Sequence, residues 1–374
     1  MSQHFFDRRT FLAATSSAVA TTLISRPLIA EEAVEQPKFA WHDVTQWGVE
    51  GKGWQETARY FDRLPAKAEK LVRPAVWNLS RHSAGMLCRF ETDATSIRTR
   101  YELLSESVAM AHMPATGVSG VDLYARDAHG EQRWVGVTRP AGKKVDAKLA
   151  KNLDPPLQGM REFTAYLPLY NGVEALEFGV PEGATFKPIA PRDEKPLVFY
   201  GTSIMHGACA SRPGMSITGI VGRRLDRPVI NLGFSGNGRM EAELAHLLSE
   251  LNAAVYLIDC LPNINGQLVA ERTEPLVHIL REARPDTPIV LVEDRTYGYA
   301  HIYKASRTRH AESRAALAKA YENLQNEGIK HLHYLSGDSL LSDGDSMTDG
   351  SHPNDMGMVQ YATAYQAVLE KILL

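Results

Sequence analysis

The stretch LVFYGTS, residues 197–203, decides the fold of the larger part of this chain. Its first four residues are all apolar and Gly201 ends the run, a pattern typical of a buried strand in a parallel sheet. Ser203 stands in the turn after this strand. Because ligands of open α/β sheets bind at the carboxyl ends of the strands, the stretch predicts a serine at the edge where a substrate would lie.

Further apolar runs follow Ser203 and alternate with segments of helical periodicity. The runs predict strands at residues 229–232, 254–259, 288–292 and 331–335. Helices are predicted around residues 216–226, 240–251, 272–284, 312–327 and 356–372. Alternating strands and helices predict an α/β domain, with a parallel sheet and helices on both of its faces.

The segment Asp349-Gly350-Ser351-His352 offers a partner for Ser203. An Asp three residues before a His can orient the imidazole, and an oriented imidazole can take the proton of a serine hydroxyl. Taken singly, a Gly-x-Ser can be a plain turn and an Asp-x-x-His can be half of a metal site. Together, Ser203, His352 and Asp349 predict acyl transfer.

Two loops after the next predicted strands add polar groups at the same edge. Residues 233–238 are rich in glycine, so their backbone N–H groups can approach a substrate closely. Residues 260–263 end in Asn263, which brings a side-chain amide to this edge.

From its first predicted parallel strand onward, the chain resembles the SGNH, or GDSL-type, hydrolases, whose Ser, Gly, Asn and His occur in this order on successive strand ends. The matching residues are Ser203, Gly236, Asn263 and His352, with Asp349 three residues before the histidine. The resemblance implies a flavodoxin-like three-layer α/β/α domain with Ser203 as nucleophile, His352 as base and Asp349 as its partner. It also implies an oxyanion hole made of the Ser203 and Gly236 N–H groups and the Asn263 amide.

The chain departs from the family pattern at two places. The family's Gly-Asp-Ser is Gly-Thr-Ser here, so Thr202 lacks the carboxylate that often braces the nucleophile turn. Residues 261–264 read Leu-Pro-Asn-Ile where the family has Gly-x-Asn-Asp. Neither change removes a catalytic atom, but support for the turn must come from elsewhere.

The half of the chain before residue 194 has a different periodicity. Apolar and polar residues alternate strictly in several segments, which include residues 86–90, 97–103 and 163–167. This alternation predicts an antiparallel, jelly-roll-like β-sandwich at residues 31–193, followed by a catalytic domain at residues 194–374. The proline-rich and charged residues 188–196 are the predicted linker. Residues 120–124, Gly-Val-Asp-Leu-Tyr, resemble the GxDLY signature of the β-rich domain that precedes the catalytic domain in one bacterial branch of these enzymes.

Residues 1–30 have the pattern of an export signal. Arg8-Arg9-Thr10-Phe11-Leu12 resembles a twin-arginine motif, and a mildly apolar stretch follows it. Cleavage after Ala30 would release an enzyme to the periplasm or beyond. The alternative is a disordered tail with a chance arginine pair.

The composition limits the classes of partner. A chain of 374 residues with 44% hydrophobic residues can build two cores. The formal charge of −3 becomes −5 without residues 1–30, as Lys+Arg falls from 41 to 38 and Asp+Glu from 44 to 43, so nothing points to nucleic acid. No segment has the roughly 20 apolar residues of a membrane span. The sequence indicates no cofactor and leaves the oligomeric state open.

Several other side chains allow two interpretations. Cys209 and Cys260 flank the predicted site and could pair or could be small buried hydrophobes, and Cys88 is the third cysteine. His206 and Arg212 could contact substrate or serve only the structure. Residues 293–299 could set specificity or form a solvated loop. The five tryptophans all lie in the β-rich half and could bind sugar rings or fill the core: Trp41, Trp47, Trp54, Trp77 and Trp134.

The sequence therefore predicts a serine esterase that hydrolyses acyl groups, with acetyl esters on carbohydrate or small molecules as the expected substrates. Three alternatives belong to other classes. The acyl-enzyme could pass its acyl group to an alcohol, the sandwich could bind glycan beside a vestigial triad, or Asp349 and His352 could be metal ligands. No companion cluster of His, Cys or carboxylates is visible at ligand spacing in the sequence.

Overall fold

A computed structural model describes residues 38–156, 159–341 and 344–374 of the chain. The predicted export signal, residues 1–30, lies outside the described residues. Lys38–Leu374 belong to one compact unit.

The N-terminal half consists mainly of short strands. In chain order its elements are β1 (Phe39–Asp43), α1 (Pro74–Ser80), β2 (Leu87–Thr92), β3 (Ile97–Leu103), α2 (Ala115–Val118), β4 (Asp122–Arg126), β5 (Gln132–Val137), β6 (Lys144–Ala150), β7 (Arg161–Tyr166), β8 (Val173–Pro181) and β9 (Phe186–Ile189).

These strands form two antiparallel sheets, with the orders β1-β8-β3-β6 and β5-β4-β7-β2-β9. The alternation in β3 has the predicted effect, because Ile97, Tyr101 and Leu103 are buried in the core of this half. Rings of Phe90 and Phe178, one from each sheet, lie with centroids 5.0 Å apart in that core. The predicted antiparallel β-rich half is thus confirmed.

The predicted linker is partly strand. Residues 188 and 189 belong to β9, where Pro188 lies opposite Phe90. A proline fits there because β9 is the edge strand of its sheet and needs no second row of hydrogen bonds. Arg192, in the same segment, donates to both carboxylate oxygens of Glu50 at 3.1 Å and fixes the remaining residues.

The C-terminal half alternates strands with helices. Its elements are β10 (Leu197–Gly201), α3 (Ser203–His206), α4 (Ile217–Leu225), β11 (Val229–Gly233), α5 (Ala242–Ser249), β12 (Val255–Asp259), α6 (Gly266–Ala283), β13 (Ile289–Val292), α7 (Lys304–Asn326), β14 (Leu332–Leu335) and α8 (Asp355–Leu373).

These strands form a parallel sheet with the order β11-β10-β12-β13-β14. Successive residues of β10 point to opposite faces, so Val198 and Tyr200 pack with α5, α6 and α7, whereas Leu197 and Phe199 pack with α3, α4 and α8. This arrangement confirms the predicted three-layer α/β/α architecture. It also brings the carboxyl ends of β10, β11 and β12 to one edge.

Both helical layers continue into the N-terminal half. Trp54 and Trp77 belong to the same buried cluster as α5, α6 and α7. Leu169 and Tyr170 belong to the cluster of α3, α4 and α8. The N-terminal half therefore has a core of its own and also contributes residues to both cores of the α/β half.

Candidate active site

Ser203 begins α3 directly after β10, and its side chain is 7% exposed. A Cβ at Gly201 would lie 2.7 Å from the carbonyl oxygen of Asp259, so only glycine fits where the turn starts. Thr202 caps α3, since its hydroxyl accepts a hydrogen bond of 3.4 Å from the Ile204 N–H. The threonine thus gives the turn part of the support that the missing carboxylate would supply.

The structure brings Ser203, His352 and Asp349 together in one chain of hydrogen bonds. Ser203 Oγ lies 2.8 Å from His352 Nε2, and His352 Nδ1 lies 2.8 Å from Asp349 Oδ2. Both distances are those of ordinary hydrogen bonds. The imidazole can therefore accept the hydroxyl proton at Nε2 while Asp349 holds its Nδ1–H.

Asp349 is held in its ionised form. Its Oδ1 accepts hydrogen bonds from the N–H groups of Ser351 at 3.0 Å and His352 at 2.8 Å. Partial burial acts to raise the pKa of Asp349, but the hydrogen bonds from the His352 ring and from these two N–H groups outweigh it and lower the pKa. The carboxylate is thus suited to stabilise a positive imidazolium.

Gly236 lies in the loop that follows β11. Its φ of +69° is in the left-handed region, which favours glycine, although a Cβ there would meet nothing within 4 Å. Gly238 has a steric requirement instead, because a Cβ would lie 2.0 Å from the carbonyl oxygen of Gly201. The loop therefore packs directly on the turn that carries Ser203.

Asn263 ends a single 3₁₀ turn, Leu261–Asn263, after β12. Its Oδ1 accepts a hydrogen bond of 3.2 Å from the Gly238 N–H. This bond joins the Asn263 turn to the Gly236 loop. Within the described part of the chain, neither the Asn263 Nδ2 nor the Gly236 N–H has a hydrogen-bond partner, so both remain available as donors.

Sequence reasoning missed Arg63, which comes from the N-terminal half and is 1% exposed. Its Nη1 donates to the carbonyl oxygens of Asn231 at 3.1 Å and Gly233 at 2.7 Å, at the end of β11. Nε donates to His82 O at 2.9 Å, and Nη2 donates to Leu79 O at 2.6 Å. In the sequence Arg63 follows Asp62, so the pair looks like solvated charges and no pattern indicates a buried cation.

Arg63 also borders His206, which is fully buried and is the last residue of the helix that Ser203 begins. His206 Nε2 is 3.4 Å from Arg63 Nη2 and 3.3 Å from His82 Nδ1. The ring of Tyr170 stacks on His206 with centroids 4.2 Å apart, and the Tyr170 hydroxyl donates to Ser203 O at 3.3 Å. His206 therefore supports the nucleophile turn from behind, in agreement with the structural interpretation.

A second arginine of the N-terminal half holds the Gly236 loop. Arg73 Nη1 donates to Asn237 Oδ1 at 2.7 Å, and its Nε donates to Glu241 Oε1 at 2.5 Å. The candidate oxyanion loop is thus fixed from outside the α/β domain.

A third contribution of the N-terminal half lies at the rim of the site. The ring of His112, in the segment between β3 and α2, has its centroid 5.8 Å from that of His352. No sequence pattern pointed to this neighbour, because a single histidine in a loop carries no signal.

Arg212 and Trp134 contact the GxDLY motif rather than the Ser203 site. Arg212 Nη1 donates to Asp122 Oδ2 at 3.1 Å and also contacts the Tyr124 hydroxyl, while Trp134 Nε1 donates to Asp122 Oδ1 at 2.9 Å. The Gly214 N–H donates to the same carboxylate at 2.8 Å. The buried Asp122 therefore anchors the loop after α3, which agrees with the bracing interpretation of Arg212.

Residues 293–299 are not simply a solvated loop. Asp294 is 0% exposed and Arg295 is 1% exposed, so the segment begins with a buried ion pair. Tyr299 packs against the His352 loop, where a Cβ on Gly350 would lie 2.5 Å from its ring. Charged residues in a sequence suggest solvent exposure, and the fold reverses that expectation by pairing them.

The cysteines are three free thiols, all buried. Cys209 and Cys260 therefore form no disulfide. Cys209 does lie beside the triad. The atoms of Cys209, Asp349 and His352 that could bind a metal ion all lie within 4.8 Å of one another. Burial raises the pKa of Cys209 to about 11, which keeps the thiol protonated and opposes metal binding.

Two family models match the chain and together span both halves. Residues 194–370 match the GDSL-like lipase/acylhydrolase family. Residues 39–186 match the GxDLY domain, described as the N-terminus of SGNH-hydrolase-type esterases. No curated protein sequence is significantly similar to this chain.

Solved structures share the whole two-part fold. A protein described as a GDSL-like lipase from Bacteroides ovatus ATCC 8483 is 29% identical, with a TM-score of 0.85, over 90% of this chain and 98% of that one. The salicylyl-acyltransferase SsfX3 from a tetracycline biosynthetic pathway is 20% identical, with a TM-score of 0.69, over the same shares. An acetyl xylan esterase, Est2A, from the rumen bacterium Butyrivibrio proteoclasticus is 10% identical, with a TM-score of 0.54, again over 90% and 98%. The last two likenesses are of fold alone.

Proposed function

The chain belongs to the GDSL-like lipase/acylhydrolase family and is an esterase, and on that premise we propose that Ser203, His352 and Asp349 catalyse hydrolysis through an acyl-enzyme. One observation carries the proposal: the unbroken hydrogen-bond chain from the Ser203 hydroxyl through His352 to Asp349, with both distances at 2.8 Å.

The first half of the reaction forms the acyl-enzyme. Ser203 Oγ attacks the ester carbonyl as His352 Nε2 takes the hydroxyl proton, and Asp349 stabilises the imidazolium. The negative charge that develops on the carbonyl oxygen is met by the N–H groups of Ser203 and Gly236 and by the Asn263 amide. His352 then gives the proton to the leaving alcohol.

The second half releases the acid. Water takes the place of the alcohol, and His352 accepts its proton as the water attacks the acyl carbon. The same donors stabilise the second oxyanion, and Ser203 leaves with the proton restored.

We propose that the substrate carries a short acyl group, acetyl in the first instance, on a carbohydrate. Supporting this are the predicted export signal, the β-rich companion half and the shared fold with an acetyl xylan esterase. The test compares turnover of acetylated polysaccharides with that of nitrophenyl esters of increasing chain length. Activity that rises with chain length would contradict the acetyl preference.

Acyl transfer is the second candidate, since the fold is shared with a salicylyl-acyltransferase. An acceptor alcohol would intercept the acyl-enzyme in place of water. Product analysis with and without an added alcohol separates the two, because a transferase yields the new ester in preference to the free acid.

The nucleophile is tested by Ser203→Ala. The control is Ser249→Ala, because among the described residues the Ser249 hydroxyl bonds only His246 O in its own helix. We expect Ser203→Ala to lower kcat by roughly three orders of magnitude or more and to abolish labelling by an organophosphate. Full activity or undiminished labelling would overturn the proposal.

A chelator should leave the wild-type rate unchanged, whereas loss of activity would favour the metal alternative.

The oxyanion role is tested by Asn263→Ala. We expect kcat to fall about a hundredfold to a thousandfold with little change in KM, since the amide acts on charge that exists only in the transition state. A raised KM with unchanged kcat would make Asn263 a substrate-binding residue instead.

We also propose that residues 1–30 direct export through the twin-arginine route. Replacing Arg8 and Arg9 by Lys should retain the protein inside the cell, which fractionation of cells expressing the full chain would detect. Unchanged export would contradict this route.

A further inference from the structure

Asp294 lies two residues after the end of β13 and bonds two arginines. Its Oδ1 accepts a hydrogen bond from Arg295 Nη1, and its Oδ2 accepts one of 3.0 Å from Arg309 Nη1, on α7. Burial acts to raise the pKa of Asp294, but Arg295, His310 and Arg309 outweigh it and lower the pKa. The carboxylate is therefore ionised between two cations.

Arg309 extends from Asp294 to the turn that carries Asn263. Its Nη2 lies 3.1 Å from Leu261 O, 2.9 Å from Pro262 O and 3.2 Å from Ile264 O. These carbonyls flank Asn263 on both sides. One guanidinium thus fixes the backbone on which the candidate oxyanion donor stands, in a fork geometry that lysine cannot reproduce.

Arg295 extends from Asp294 in the other direction, to the loop that carries His352. Its Nη2 donates to Ser351 O at 2.6 Å and to Ser351 Oγ at 2.7 Å. Ser351 lies between Asp349 and His352 in the chain, and its N–H donates to Asp349 Oδ1 at 3.0 Å. The guanidinium therefore holds the residue that links acid and base.

We propose that Asp294, Arg295 and Arg309 are positioning residues that set the Asn263 amide and the His352 imidazole at a fixed separation across the reacting carbonyl. The inference rests on the proposed function. Both groups must act on one carbonyl in the same step, and a displacement of about 1 Å between them can reduce the rate by roughly a hundredfold. Because the single buried carboxylate of Asp294 bonds both arginines, it fixes the positions of the two loops relative to each other.

The central experiment compares Arg309→Met with Arg307→Met. Arg307 lies on the same helix and is the matched control, because among the described residues its side chain donates to Ala300 O and His301 O and not to the Asn263 or His352 loop. We expect Arg309→Met to lower kcat for nitrophenyl acetate about tenfold to a hundredfold with KM nearly unchanged. Arg307→Met should leave both constants within about twofold.

A double-mutant cycle distinguishes positioning from general destabilisation. Because Arg309 acts through Asn263, Arg309→Met should have almost no further effect on kcat in the Asn263→Ala background. Arg295→Met acts through His352 and should still lower kcat in that background. Equal effects of Arg309→Met with and without Asn263 would overturn the proposal.

A milder variant covers the case in which Arg309→Met does not fold. Arg309→Lys keeps the charge beside Asp294 but loses the fork over the three carbonyls, so kcat should still fall severalfold while thermal unfolding stays near that of the wild type. Unchanged kcat in this variant would show that the contacts do not position Asn263. If instead the wild-type Ser203 is not labelled by an organophosphate, the proposed function itself fails, whatever Arg309 does.

Discussion

Arg63 and Asp294 are both fully buried charged side chains next to the candidate site, but their partners differ. Arg63 donates to carbonyl oxygens and borders His206, and within the described residues it bonds no carboxylate. Asp294 bonds two arginines. Burial lowers the pKa of Arg63 to about 9, whereas the arginines keep the pKa of Asp294 below its ordinary value.

The two clusters support different sides of the site. Arg63 belongs to the N-terminal half and supports the end of β11, which leads to the Gly236 loop. Asp294 belongs to the α/β half and connects the turns of Asn263 and His352. The Gly236 side of the site therefore depends on the β-rich half, whereas the contacts that join the Asn263 and His352 turns lie within the α/β half.

The strongest way to break this comparison is to remove the β-rich half. Expression of residues 194–374 alone exposes the apolar surface on which Trp54, Trp77, Leu169 and Tyr170 pack, and it leaves the β11 carbonyls without Arg63. We expect an insoluble or inactive fragment, measured by yield of soluble protein and by turnover of nitrophenyl acetate.

A stable and fully active fragment would show that the two halves are energetically independent. The shared cores would then contribute little, and the β-rich half would be a tethered binding module that matters only for polymeric substrates.

The next largest effect is expected for Arg63→Met. The substitution leaves the carbonyls of Leu79, His82, Asn231 and Gly233 without their donor in a buried place, which should cost about 3 kcal/mol or more in free energy of unfolding. Chemical denaturation followed by fluorescence measures this change.

The matched control is Arg100→Met, in the same half. Arg100 is half exposed and pairs with Asp146 at 2.9 Å on the surface, so its loss should change stability by less than about 1 kcal/mol. Similar losses of stability in both variants would mean that the burial of Arg63 does not increase its contribution to the free energy of unfolding.

The Arg63 cluster should also make the protein sensitive to mild acid. Burial, followed by the charge of Arg63, lowers the pKa of His206 well below its ordinary value of 6.5 and lowers that of His82 to about 3. Both rings bind protons more readily in the unfolded chain, so stability is present above pH 6.5 and is lost as the pH falls. From pH 6.5 to 5.5 each histidine should cost about 1 kcal/mol.

His82→Asn tests this dependence. It removes one of the two imidazoles of the Arg63 cluster, so the loss of stability over the same pH range should be about 1 kcal/mol smaller than in the wild type, as measured by urea unfolding at each pH. An identical slope in both proteins would assign the acid sensitivity to other groups.

The smallest effect is expected for Arg73→Ala, because Arg73 is far more exposed than Arg63 or Asp294. Arg73 is 37% exposed and pairs with Glu241, so its loss should cost at most about 1 kcal/mol of stability. Because Arg73 also holds Asn237 beside Gly236, kcat should fall severalfold while KM holds. A loss of stability as large as that of Arg63→Met would mean that exposure does not determine how much each arginine contributes to stability.

The sequence predicted the elements of the sheet better than the contacts between the halves. The parallel strands were predicted to within two residues, since each is a short apolar run bounded by turns. α6 and α7 begin at Gly266 and Lys304, six and eight residues before the predicted starts. The first turns of α7 are polar and lack the apolar periodicity on which the prediction relied. The first turn of α6 contains the apolar Leu268 and Val269, which the prediction missed.

By itself the sequence determined the two architectures and singled out the residues that the structure brings together at one edge. Apolar period and chain order suffice for this, because strand ends of a parallel sheet must meet at one edge. Only the tertiary structure decided what holds these residues in place. Arg63, Asp294 and Arg309 look like solvated charges in the sequence, and their role depends on partners that lie up to 170 residues away. Such pairings leave no local pattern, since a buried charge is identified by what surrounds it in space.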